Sequence, residues 1–139
     1  MKTEIKVTSI THDELVDLLS TALYGSQWFT ASYDRKIYES LAYVTGECFE
    51  DKLADMLLAG HKISITDIEA DGEKHSDKFV RFEGRYDDAV YEVVLNDFLK
   101  VASTKKGYEL ICDVLSGAGD HYTADSFLQR VVFGEEVYG

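Results

Sequence analysis

Apolar residues recur with a helical period near the start of the chain. They occupy positions i, i+3, i+4 and i+7, the spacing of a helix with one buried face: Leu15, Leu18, Leu19 and Ala22. Thr11 and Glu14 have the T-x-x-E spacing of a capping box, in which each side chain bonds to the other residue's amide. We therefore predict a first helix that begins after Thr11 and ends at Gly25, because glycine tolerates the positive φ of a helix C′ position.

The rest of the chain alternates between the strand period and the helical period. β-Prone runs predict five strands, at 4–7, 28–33, 62–69, 78–82 and 89–95. Helical spacing predicts four more helices, at 47–59, after the N-cap Asn96, at 108–116 and at 123–133. Residues 34–46 have no clear period and are ambiguous.

The connections between these elements predict the fold class. Residues 70–73 (ADGE) contain the Asp-Gly pair typical of a tight turn, so the strands at 62–69 and 78–82 are predicted to form a hairpin. Neither a Pro, Ser or Gly-rich linker nor a shift in composition divides the chain. We therefore expect one compact α+β domain over residues 1–139, with a largely antiparallel sheet packed with four to five helices.

The charge of the chain indicates what kind of partner it binds. Asp and Glu number 26 against 14 Lys and Arg, which gives a formal net charge of -12 on 139 residues. Such a field repels nucleic acid and anionic membranes and attracts basic surfaces. We expect no direct nucleic-acid binding and a partner protein that is itself basic. Solubility is an alternative reason for the same acidity.

Acidic residues concentrate in the predicted hairpin and its flanks. The candidates for partner binding there are Asp67, Glu69, Asp71, Glu73, Asp77, Glu83, Asp87 and Asp88. On a strand, Asp67 and Glu69 would share a face about 7 Å apart, which approximates the distance between every second phosphate along one DNA strand. This pattern predicts a surface that mimics nucleic acid in a basic groove. An ordinary polar face on a half-exposed sheet is the alternative.

Aromatic residues are the second surplus, with nine Tyr, seven Phe and one Trp. Trp28 and Tyr33 are candidate interface anchors, because such rings combine apolar area with a hydrogen-bonding tip. The same rings could stack a base, which leaves a nucleotide-binding protein as an alternative. Its phosphate would then be held by one of the arginines: Arg35, Arg81, Arg85 or Arg130.

The sequence gives little support for catalysis or for a cofactor. The chain contains no phosphate-binding glycine motif and no histidine or cysteine spacing typical of a metal site, so we predict no catalytic residues, no metal and no cofactor. Cys48 and Cys112 are expected to be buried free thiols, although either one with His121 could form a nucleophile and base. No run of about 20 apolar residues is present, so we expect a cytoplasmic protein without membrane contact.

Two segments carry a resemblance to known proteins. The first helix ends in ALYG with Trp28 just beyond it, and the chain closes with TADSFLQRVVFGEEVYG. Both resemble small acidic proteins encoded by phages, prophages and mobile elements of Gram-positive and gut bacteria, which are mostly of unknown function. The resemblance implies an anti-defence role, such as that of anti-CRISPR proteins and DNA mimics, and supplies no catalytic residues.

Together these patterns predict a binding protein and not an enzyme. We expect a phage-type inhibitor that occludes the basic nucleic-acid-binding surface of a host protein, such as a CRISPR effector nuclease, in the bacterial cytoplasm. Two alternatives stay open, a small-nucleotide-binding protein that sequesters a signal and a small phage enzyme without a recognisable motif. The sequence leaves the target, the binding face and homo-oligomer formation undetermined.

Overall fold

The computed structural model describes residues 6–139. Within that range the chain forms six helices and four strands, and the last three strands are followed by the last three helices. These are α1 His12–Gly25, β1 Phe29–Ser32, α2 Arg35–Glu39, α3 Phe49–Leu58, β2 Ile63–Asp67, β3 Phe79–Glu83, β4 Asp88–Val93, α4 Leu95–Ala102, α5 Lys105–Leu115 and α6 His121–Phe133. The predicted α+β class is confirmed, with one helix more than expected.

The extra helix, α2, lies in the ambiguous region 34–46. It has only five residues and none of them is buried, so it leaves no periodic hydrophobic signal. Asp34 starts it by accepting hydrogen bonds from the amides of Lys36 and Ile37. A local cap, and not a buried face, therefore produces this element.

All four strands form one antiparallel sheet in the order β1-β2-β4-β3. The predicted hairpin between β2 and β3 is wrong, because β4 lies between them. β4 instead forms the hairpin with β3, and their connection contains Gly84 and Asp87, both with positive φ. The Asp71-Gly72 turn is present, but it leads the chain out of β2 into a connection to an outer strand.

The hydrophobic core lies between the sheet and the helices. α3 packs on β2 and α6 packs on β4, while α1 lies against α3, α5 and α6. The predicted apolar face of α1 is buried, since Leu15, Leu18, Leu19 and Ala22 are all essentially inaccessible to solvent. α6 is buried almost along its length, including the polar residue Gln129.

Two of the predicted helix ends, the start of α1 and the end of α6, are present in the structure. Thr11 and Glu14 form the predicted capping box, with hydrogen bonds of 3.2 and 2.9 Å. Gly134 ends α6 with φ of 82°, as its position predicts. Gly25, however, has no positive φ; it is the last residue of α1, and a Cβ there would overlap the side chain of His121. Gly25 is thus required for the close approach of α6.

Two further predictions concern the start of the chain and the start of α4. The predicted strand at 4–7 begins outside the described residues, and its described part, 6–7, is not a strand. The predicted cap Asn96 is replaced by Val94, whose amide donates to Asp97 Oδ2 at 2.9 Å, so α4 begins at Leu95. Across residues 6–139, no helix has the length and apolarity needed to cross a membrane.

Candidate functional site

One end of the sheet collects exposed carboxylates from two separate turns. β1 and β4 begin at this end, and β2 and β3 finish there. Six residues form what we call the acidic end: Glu69, Asp71, Glu73, Glu83, Asp87 and Asp88. The Gly72 amide donates to the carbonyl oxygen of Asp87 at 3.2 Å, which joins the turn after β2 to the turn between β3 and β4.

The backbone of both turns holds acidic side chains outward. Asp71 and Asp87 have φ of 48° and 52°, in the left-handed region that Asp tolerates better than most residues. All of the acidic end is exposed except Asp88, which is half-buried. Tyr86 stands in the same region with 70% of its surface exposed, and the Arg85 guanidinium lies 5.7 Å from its ring centroid. The acidic end therefore combines carboxylates with an exposed aromatic ring.

Asp67 does not belong to this surface. It is fully buried, with Oδ2 accepting from the Tyr138 hydroxyl at 2.7 Å and Oδ1 accepting from the Glu69 amide at 2.9 Å. Burial raises the pKa of the Asp67 carboxyl above its ordinary value, and burial together with the bond to Asp67 raises the pKa of Tyr138. The predicted row of carboxylates along β2, with its phosphate-like spacing, is therefore wrong.

Three other predicted residues also lie elsewhere. Asp77 precedes β3, at the opposite end of that strand from Glu83. Trp28 is a core residue, 5% exposed, and its Nε1 donates to Asp125 Oδ1. Tyr33 is half-buried, and its ring packs against other aromatic rings at centroid distances of 5.4 and 5.9 Å. Trp28 is therefore too buried to anchor a partner or to stack a base, and the Tyr33 ring keeps only part of its surface exposed.

The arginines of the nucleotide-binding alternative do not form one group. Each has a neighbour of its own: Arg35 pairs with Glu39, Arg81 with Glu83, Arg130 with Glu136, and Arg85 lies over Tyr86. With Trp28 buried as well, the predicted combination of a stacking ring and a phosphate-binding arginine is not available at Trp28.

A cleft of about 800 Å³ opens beside the acidic end, between the last turn of α1 and the first turns of α6. Residues from both segments that carry the sequence resemblance line it. Asp125 lies on the floor of this cleft. Its carboxylate accepts hydrogen bonds from Ser26 Oγ at 2.6 Å, from Trp28 Nε1 and from Gln129 Nε2 at 2.8 Å. We call this feature the α1–α6 cleft.

Gln129 fixes the last residues of the chain along this cleft. Its Oε1 accepts from the amides of Val137 and Tyr138, each at 2.8 Å, and its Nε2 also donates to the Tyr138 carbonyl at 3.0 Å. Because these buried polar groups satisfy one another, their role is structural. Among the groups that can face an incoming molecule are Glu69 and the exposed ring of Tyr122, which lie on the walls.

Sequence reasoning missed Asp125, Gln129 and Tyr138. Asp125 and Gln129 are four residues apart on α6, and Asp and Gln side chains at that spacing can hydrogen-bond to each other, which is a usable signal of a local polar pair. Tyr138 carried no signal, since its partner Asp67 is 71 positions away.

A second buried carboxylate, Asp55, lies far along the chain from the cleft residues. It accepts from the Thr45 hydroxyl at 2.7 Å and from the Thr45 amide at 3.1 Å, and His12 Nε2 lies 3.4 Å from its Oδ1. Burial, followed by the charge of Asp55, raises the pKa of Tyr38. These contacts hold the segment before α3 against the start of α1, which is a structural role.

The cysteines contradict the expectation of buried thiols, because Cys48 and Cys112 are both exposed and free. Cys48 is the N-cap of α3 and Cys112 lies on the outer face of α5. Over residues 6–139, neither sulfur is hydrogen-bonded to a histidine, and no group of three or more His, Cys, Asp or Glu side chains is placed to hold a metal ion.

No protein-family model, curated protein or solved structure matches the chain.

Proposed function

We propose that this protein is a binding protein that covers the basic nucleic-acid-binding surface of another protein. The observation that carries the proposal is the joining of two turns by the Gly72–Asp87 hydrogen bond, which gathers six carboxylates at one end of the sheet. A concentrated negative surface speeds association with a positive groove and excludes nucleic acid from it.

The surroundings of the acidic end support binding beyond simple charge attraction. Tyr86 supplies an exposed ring of the kind enriched at interface anchors. The α1–α6 cleft is lined by the carboxylate of Glu69 and by the exposed ring of Tyr122. A carboxylate beside an aromatic ring suits the guanidinium of a partner's arginine. The partner in this proposal is therefore an arginine-rich and lysine-rich protein surface.

The resemblance of the two chain ends to small phage and mobile-element proteins selects the first partners to test. We propose inhibition of a bacterial defence nuclease, with CRISPR effector nucleases as the first candidates. The mechanism is occlusion by binding, with no chemical step.

A charge-matched pair of variants tests this proposal. The acidic-end variant neutralises four exposed carboxylates by Asp→Asn and Glu→Gln changes, at Glu69, Asp71, Glu83 and Asp87. The control variant removes four exposed carboxylates elsewhere, at Asp17, Glu47, Glu109 and Asp113, so both carry a formal charge of -8, since four of the -12 charges are lost. Binding to immobilised effector nucleases is measured at several salt concentrations, with and without guide and target nucleic acid.

We expect the wild type and the control to bind, to compete with nucleic acid, and to weaken as salt is raised. The acidic-end variant should associate more slowly and show a smaller salt dependence. Equal binding by both variants would show that the acidic end is only a solvated surface, and a failure of the wild type to bind the effectors would remove them as targets.

A further inference from the structure

A small pocket away from the acidic end is lined by several cationic side chains, although the protein as a whole is acidic. It has a volume of about 240 Å³ and lies among the start of β3, the ends of α4 and α6, and the start of α5. Three cationic side chains line it, those of Lys78, Lys100 and Arg130, against one carboxylate, that of Asp97. Since carboxylates outnumber cations 26 to 14 in the whole chain, this pocket reverses the overall charge balance.

The two lysines are not neutralised by neighbours. Within residues 6–139, no carboxylate oxygen lies within 4.0 Å of the Nζ of Lys78 or Lys100. The one acidic residue of the lining, Asp97, accepts the Val94 amide through Oδ2 at the start of α4. The pocket therefore keeps a net positive charge.

Arg130 adds a third cation to the same lining. Its Nη2 pairs with Glu136 Oε2 at 3.2 Å, while its Nε is buried and out of reach of a molecule in the pocket. Arg130 therefore contributes to the pocket through the charge of its guanidinium.

The helix ends explain only part of this arrangement. Lys100 and Arg130 lie in the last turns of α4 and α6, where a cation also offsets the partial negative charge of a helix C-terminus. Lys78 is on no helix, so that role does not account for it. Thr104, on the same lining, caps the eleven-residue helix α5, whose N-terminus adds partial positive charge.

We propose that this pocket binds a phosphate group, either free or carried on a small phosphomonoester. Two unpaired ammonium groups beside a guanidinium are the chemistry that attracts phosphate oxygens. The pocket volume of about 240 Å³ exceeds that of a phosphate, so part of a phosphomonoester can enter the pocket with it. This site is independent of the acidic end and of the function proposed above.

The test is a titration of the isotope-labelled protein, at constant ionic strength, followed by amide chemical shifts. Three probes are compared, namely inorganic phosphate, AMP, and adenosine as the matched compound without phosphate. Lys78→Gln and Lys100→Gln are the pocket variants, and Lys36→Gln, an exposed residue of α2, is the charge-matched control. Thermal unfolding of each variant shows that it is folded.

We expect phosphate and AMP to shift amides around the pocket and adenosine to leave them unchanged. Each pocket variant should bind about tenfold more weakly, the effect of losing one charge-assisted contact, while Lys36→Gln binds as the wild type does. Tighter binding of AMP than of phosphate assigns the ligand to phosphomonoesters, and equal binding assigns it to the free anion. Absence of shifts at millimolar probe, an equal response to adenosine, or equal weakening by Lys36→Gln would overturn the proposal.

Discussion

The Tyr138 hydroxyl donates a 2.7 Å hydrogen bond to Asp67 Oδ2, joining residues 71 positions apart. The bond connects the last residues of the chain to the end of β2, beneath the acidic end. The Tyr138 ring also packs against Trp28 and Phe133, with centroid distances of 5.7 and 6.0 Å. One side chain thus links the sheet, α6 and the floor of the α1–α6 cleft.

Removal of this hydroxyl by Tyr138→Phe should destabilise the protein by about 1.5 to 3 kcal/mol, because a buried carboxylate loses a donor while the ring packing is retained. Urea unfolding followed by the fluorescence of Trp28, the only tryptophan, measures the change. Tyr122→Phe is the control, since the Tyr122 side chain is exposed. Equal stability of Tyr138→Phe and wild type would show that the hydroxyl contributes nothing.

The raised pKa of Asp67 predicts a specific dependence of stability on pH. Between the unfolded-state pKa of about 3.9 and the higher folded-state pKa, the folded protein binds more protons than the unfolded chain. The contribution of this carboxyl to stability should therefore fall as pH rises through that window and then level off. Asp67→Asn removes the titration, so the difference in unfolding free energy between wild type and Asp67→Asn should change across the window. Parallel pH profiles for the two proteins would contradict the prediction.

Gly25→Ala should destabilise the protein by about 1 to 3 kcal/mol, although alanine favours helices more than glycine does. The added Cβ would overlap the Cβ and ring of His121, so the start of α6 would have to move. Thermal unfolding measures the loss. A second change, His121→Gly, removes the obstructing side chain and should restore part of the stability; without such rescue, the overlap is not the cause.

Leu18→Ala should cost about 2 to 5 kcal/mol, because Leu18 is fully buried on α1 and its truncation leaves a cavity in the core. Leu58 on α3 is 42% exposed and provides the matched control, whose truncation should cost much less. Chemical denaturation of the two variants beside wild type tests this directly, and similar losses in both would show that α1 does not form the core.

The sequence was sufficient for elements whose signals are local. The capping box of Thr11 and Glu14 and the apolar spacing of α1 lie within one short segment, and both are present as predicted. The same holds for the end of α6 at Gly134, where the conformational requirement belongs to one residue.

The sheet order was not predictable in this way, because it depends on pairing between distant segments. A turn motif at Asp71-Gly72 shows that the chain reverses, but not which strand then lies beside β2. For Asp67 a usable signal was present in the alternation along β2, but its charge led to the prediction of an exposed side chain. Ile63 and Ile65 are buried, and strict alternation already places Asp67 on their face of β2.

β3 is one of the two outer strands of the sheet, and its side chains are largely exposed. An outer strand with apolar residues such as Val80 and Phe82 is a template for self-association through its free backbone groups. Two features counter that tendency here: an irregularity in pairing between Phe79 and Arg81, and the charged pair formed by Arg81 and Glu83 at 2.6 Å. The same strand that carries one side of the acidic end is therefore protected against aggregation along its edge.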